Sequence, residues 1–265
     1  MGLEAKPDSY RFRLVPQKEW NFMKNKDASE SLMKWSLRDR ISVQAFCYDK
    51  HLDIHNRVEF VQEFLTEPTI LASLKVLTEA NKWSPLTVPA ASVSVELVPC
   101  TETTMRLFDK LTDSGIVRDN GNIRKCMEEW FGDLVLADEL RKLLGGGESD
   151  YEDVFTEAER SEFLFRLFRH LALGGRWCQY EDNVQPYLDV TKLIYKELVS
   201  VYKSSDSVGL RVTSQVLKVT AKSEDGSDLI PREADHPQNF LYLLVNPHKR
   251  SVTTLYHQFG ALLQN

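Results

Sequence analysis

Thr156-Glu157-Ala158-Glu159-Arg160, followed directly by SEFLFRLFRHLALGG (Ser161–Gly175), is the stretch that decides the fold. A hydroxyl residue with Glu three positions on is a capping box, in which each side chain takes up a backbone N–H that the first helical turn leaves free. Phe163, Leu164, Phe165, Leu167, Phe168 and Leu171 then give an apolar face too wide for a surface helix. Gly174-Gly175 ends it, because glycine accepts the backbone conformation a helix needs to stop. The spacing predicts one central core helix running from the capping box to Leu171.

Downstream, Pro186 suits a first helical turn. Tyr187, Thr191, Ile194, Leu198 and Tyr202 keep one face, which predicts a second long helix of about 30 Å at 1.5 Å per residue. The C-terminal part reads as β. Leu210 and Val212 have the opposite parity to Leu217, Val219 and Ala221, which predicts a bulged strand. Phe240–Val245 and Ser251–His257 flank a short polar loop and predict a hairpin.

Upstream, Tyr10–Val15 alternates and stops at Pro16, and Ile41–Phe46 alternates again, so two more strands are expected. A helix is expected over Asp27–Arg40, capped by Asp27 or Ser29, with Leu32, Trp35 and Leu37 inward. A second is expected over Arg57–Leu65, burying Val58, Val61, Phe64 and Leu65. A third opens at Pro68, with Leu71, Leu74 and Leu77 on one face. Residues 86–98 carry too many prolines for anything but an edge strand or pieces of one. Thr101–Leu111 reads as helix and Asp119-Asn120-Gly121 as a turn. Ile123–Phe131 and Leu134–Leu144 read as two short helices, and 145–155 as a loop. The result is an α+β fold in a single domain over 10–260. Strands from both chain ends form a mixed or antiparallel sheet around a central helical region, with flexible ends at 1–9 and 261–265.

With 33 Lys and Arg against 39 Asp and Glu, the net charge is −6. That argues against a general nucleic-acid binder, which carries a basic excess. The acidity is local: residues 101–200 hold 20 acidic and 13 basic side chains. Within 128–162, twelve acids face only Arg141, Lys142 and Arg160. This segment is a solvated face or a docking surface for a basic partner, with Glu148, Asp150, Glu152 and Asp153 as the candidate docking residues. No apolar run approaches a membrane span, and no secretory signal is read at the N-terminus. Four scattered cysteines suit reduced thiols in the cytosol.

Catalytic chemistry is hard to find. His51-Leu52-Asp53-Ile54-His55 has ligand-like spacing but lies in a turn, without the Glu of a zinc-protease helix. Gly145-Gly146-Gly147 follows a helix rather than a strand, and acids follow it, so it is not a phosphate loop. Cys178 near His170 could form a nucleophile pair, but a buried thiol is the expected state. Glu181-Asp182 precede a helix, where carboxylates suit the macrodipole. No catalytic, cofactor-binding or metal residue is expected, and an interaction protein fits better than an enzyme.

The run Ser161–Lys203, together with VPQKEW (Val15–Trp20), WSLRDRISVQAFCYD (Trp35–Asp49) and VPCTETTM (Val98–Met105), resembles the cilia- and flagella-associated protein 300 family. So do SGIVRDNGNIRKC (Ser114–Cys126), DELRKLL (Asp138–Leu144) and LYHQFG (Leu255–Gly260). The resemblance runs in order from about Tyr10 to Gly260, with the weakest match over 204–236. It implies a non-enzymatic role in cytoplasmic assembly or transport of outer and inner axonemal dynein arms. The implied partners are dynein subunits or dynein arm assembly factors, and the implied locations are the cytoplasm and the axoneme. It implies no cofactor, and the charge and hydropathy already lead to the expectation of no nucleic-acid and no membrane partner.

Overall fold

The computed structural model describes residues 9–16, 18–146, 149–203 and 209–260. They form two compact units. One draws on Met1–Glu19, Ile41–Leu97 and Thr213–Gln258, and the other on Trp20–Arg40, Val98–Val212 and Phe259–Asn265.

The first unit carries the main sheet. Its strands run in the order Phe12–Leu14, Ile41–Tyr48, Ser251–His257, Phe240–Asn246, Gln215–Lys222 and Asp228–Ile230, and Ser92–Val98 pairs with Gln215–Lys222. The neighbours along this path are antiparallel. The fold is thus α+β, with the sheet gathered from both chain ends. All seven residues of the Phe240–Asn246 strand are buried. A strand covered on both faces is apolar throughout rather than alternating, which is how FLYLLVN reads. Its hairpin loop is held by the Asn246 side chain, which accepts from the Lys249 N–H at 3.0 Å.

Helix Arg57–Phe64 lays Phe60 and Phe64 on this sheet. Phe12 stands 5.4 Å from Phe60 and 5.1 Å from Phe64, both edge-on, and Phe46 meets Phe64 at 5.4 Å. Such edge contacts favour the ring quadrupoles. The buried face is Phe60, Val61 and Phe64, whereas Val58 points to solvent. Val61, Phe64 and Leu65 are thus inward as expected, and only Val58 is not, its place on the buried face being taken by Phe60. The helix at Pro68 ends at Ser73, and Leu77 belongs to a small hairpin of Lys75–Leu77 with Trp83–Pro85.

The second unit is mostly helical. Lys26–Lys34 is capped by Asn25, whose side chain accepts from the Ala28 N–H at 2.9 Å, rather than by Asp27 or Ser29. It ends before Trp35 because Ser36 takes a left-handed conformation (φ 58°). Gly174 and Gly175 let another segment close on this turn: the Gly175 N–H reaches the Trp35 carbonyl at 2.8 Å. The capping box forms as read, with Thr156 and Glu159 satisfying each other's backbone. The helix it opens is nevertheless two helices, Glu157–Ser161 and Phe163–Leu173, broken at the extended backbone of Glu162. The cause is distant in sequence. Pro99 accepts the Phe163 N–H at 2.8 Å, and the Glu162 carboxylate takes the Thr101 N–H at 3.0 Å and its hydroxyl at 2.6 Å. The next helix, Gln185–Leu198, has its proline in the first turn but stops four residues short of Tyr202.

Three other expectations are corrected. Lys125–Phe131 and Leu134–Asp138 are an antiparallel hairpin, not two helices, and only Glu139–Gly145 is helical. Gly132, with φ 59°, supplies its turn. The parity change after Val212 is a break between strands, not a bulge: Leu210–Val212 pairs with Val201–Lys203, and Gln215–Lys222 belongs to the main sheet. The helix expected from Thr101 begins only at Met105, as a 3₁₀ turn capped by Thr104.

Candidate partner-docking surface

Within the second unit, the acidic segment separates into carboxylates that hold structure and carboxylates that face solvent. Asp138 and Arg141 are fully buried as an ion pair. Asp138 also caps the Glu139–Gly145 helix by accepting the Arg141 N–H at 2.9 Å. Arg141 donates to the Tyr187 hydroxyl at 2.6 Å, and its guanidinium lies 3.5 Å from the centre of the Tyr180 ring. A buried guanidinium needs such company, because an unpaired one would carry its whole desolvation cost. The Tyr187 hydroxyl also accepts the Glu181 N–H at 3.0 Å, and its ring packs on Trp35 at 4.6 Å. Burial raises the pKa of the Tyr187 hydroxyl and pushes that of Tyr180 up to about 12.

Glu129 pairs with Lys142 at 2.7 Å. Glu159 accepts two bonds from Lys110, at 2.7 and 2.8 Å, and these hold its pKa below the ordinary carboxylate value. Arg160 donates to the carbonyls of Phe155, Leu143 and Glu152. It thereby pins the Glu152–Val154 turn to the neighbouring helix. Arg141, Lys142 and Arg160, the three bases of the acidic window, are thus all engaged internally.

What remains outside is acidic. Asp150, Glu152 and Asp153 are exposed, as are Glu128, Asp133 and Glu157. Among the described residues no basic side chain pairs with Asp150, Glu152 or Asp153. Glu148 lies outside the described residues. The Tyr151 hydroxyl accepts from the Arg124 guanidinium at 3.3 Å, which ties the acidic turn to the base of the 125–138 hairpin. On that hairpin two large apolar side chains stand in solvent, Met127 at 78% exposure and Trp130 at 70%. They were missed in the sequence because Met and Trp read as core material. The available signal was Gly132-Asp133, a two-residue hairpin turn.

The residues weighed for catalysis are held in other ways. Asp53 caps a 3₁₀ turn through the His55 N–H at 3.0 Å. Burial pushes the Cys178 thiol up to about 12, so at neutral pH it is protonated and a poor nucleophile. Glu181 accepts from Lys34 at 2.6 Å and from the Trp35 indole at 3.0 Å, so it closes the end of the Lys26–Lys34 helix rather than pairing with Asp182. Among the described residues no group of three or more His, Cys, Asp or Glu side chains is placed to hold a metal ion, and no helix is long and apolar enough to cross a membrane.

The fold and this surface define a mixed α+β protein with an exposed apolar and acidic face. The chain belongs to the cilia- and flagella-associated protein 300 family, which it matches over residues 9–257. A protein of that name from Chlamydomonas reinhardtii is 36% identical over 230 residues, covering 86% of this chain and 90% of the relative. Its counterpart from Paramecium tetraurelia is 36% identical over 250 residues, covering 92% of each. No solved structure matches the chain. Membership supports a role in cilia or flagella, and the family name indicates no enzyme class.

Proposed function

We propose that the chain is a non-enzymatic adaptor in the cytoplasmic assembly or transport of outer and inner axonemal dynein arms. Family membership along nearly the whole chain carries this reading. The internal use of Arg141, Lys142 and Arg160 supports an interaction role, because it leaves uncompensated carboxylates facing solvent. The partners are dynein subunits or arm assembly factors, and Glu148, Asp150, Glu152 and Asp153 take part in docking them. Complementary charge of this kind raises the on-rate of a basic partner. The second reading is a structural axonemal component bound to microtubule doublets, which the family name equally supports.

Fractionation of ciliated cells separates the two. An adaptor is recovered mainly in the soluble cell-body pool, and salt releases what reaches the axoneme. A chain found almost wholly in salt-resistant axonemes would replace the adaptor reading with the structural one.

A further inference from the structure

The 125–138 hairpin carries the two most exposed large apolar side chains among the described residues, Met127 and Trp130. Leu134, Leu136 and Asp138 are buried, so by strand alternation Val135 lies on the opposite face. Trp130 is the direct partner of Val135 in the pairing, which places the indole on that same outward face. Met127 sits in the stretch where the register shifts between Lys125 and Glu129, and its side chain is even more exposed than that of Trp130. Trp and Met are both enriched at protein interfaces relative to the rest of the surface, and here both stand in water on one hairpin.

Charge decides what can cover them. Lys125 is paired with Asp182 at 2.5 Å, and Lys142 with Glu129 at 2.7 Å. Both lysines are therefore paired, and Arg124 at the hairpin's base is held by the Tyr151 hydroxyl, while Glu128 and Asp133 stay exposed on the hairpin. The Arg124–Tyr151 bond brings a further acidic turn, carrying Asp150, against the hairpin's base. A second copy of the chain docking face to face would set these carboxylates against their own images, because a two-fold contact repeats the same patch. Nucleic acid and anionic lipid would be repelled in the same way.

We propose that this hairpin face docks a basic amphipathic segment of a partner protein. Its apolar side chains sit on Met127, Trp130 and Val135, and its lysines or arginines face Glu128, Asp133 and Asp150. The inference rests on the adaptor reading and gives it an anchor that carboxylates alone do not provide. The carboxylates steer the encounter, and the indole and thioether hold the complex.

The test uses the purified full chain and two labelled peptides of one helical amphipathic pattern, one of lysine and leucine, the other of glutamate and leucine. Anisotropy titrations should show saturable binding of the lysine peptide alone, weakened by added salt. Met127→Ala with Trp130→Ala should weaken it about tenfold or more. Asp133→Lys should weaken it less, and Val201→Ala with Leu210→Ala, on a different exposed hairpin, should leave it unchanged. These side chains are exposed, and unchanged circular dichroism and melting confirm folding of each variant. Equal binding of both peptides, or unaltered binding by the Met127/Trp130 variant, overturns the proposal. So does sedimentation showing a dimer that the same variant dissolves. Binding is scored on purified protein and the adaptor reading on axonemes, so either can fail while the other stands.

Discussion

Arg141 and Asp138, three residues apart, are an ion pair in which neither side chain has any solvent exposure. The pair joins the hairpin to the helix that follows, and Tyr180 and Tyr187 enclose it. The exposed face is therefore carried on a rigid base: one face of the hairpin is fixed in the interior while the other holds Trp130 in water.

Removing both partners together should cost less than the sum of removing each alone. Arg141→Met leaves a buried carboxylate and should cost about 3–5 kcal/mol of stability. Asp138→Asn keeps an oxygen for the helix cap but leaves the buried guanidinium without its counter-charge, and should cost a similar amount. The double variant should lose clearly less than the two single losses combined, as measured by urea unfolding. Simple additivity would show that the two side chains act independently.

Gly175 tests the closeness of the turn at Trp35. A methyl group there would lie 2.3 Å from the Ser36 carbonyl oxygen, a backbone atom that cannot swing away. Gly175→Ala should cost about 1–3 kcal/mol, in the range of overpacked cores. Gly132, whose added methyl would meet nothing within 4 Å, is the control: its alanine variant should lose only the roughly 1 kcal/mol of a strained left-handed residue. Equal losses in thermal melts would contradict this packing.

Glu159 gives stability a pH dependence with a definite sign. The Lys110 ammonium, and after it the backbone and hydroxyl of Thr156, hold the folded carboxylate below its ordinary value of 4.5. A lowered folded pKa contributes stability that is present above the unfolded value and lost as the pH falls through the folded one. Glu159→Gln should therefore lower the melting temperature near neutrality, and the gap to the parent should close in acid. A gap constant with pH would mean that the charge contributes nothing.

Much of this architecture was legible because it is local. The capping box at Thr156, the stop at Gly174-Gly175 and the hairpin around Asn246 each depend on residues a few positions apart. The break at Glu162 depends on Pro99 and Thr101, some sixty residues away, and no local pattern signals it. The 125–138 hairpin was misread because Lys, Glu, Leu and Met favour helix, and tertiary pairing overrode that weak preference. On the candidate surface, the acids Asp150, Glu152 and Asp153 were legible, since unpaired carboxylates stay in water. Trp130 and Met127 were not, because apolar side chains give no sign in sequence of the occasions when they remain outside.

The adaptor reading is tested most directly by transmission electron microscopy of axoneme cross-sections after deletion of the gene in a ciliated cell. The account predicts doublets that lack outer and inner dynein arms, together with lost or weakened beating. Cross-sections with both sets of arms in place and normal beating would contradict it.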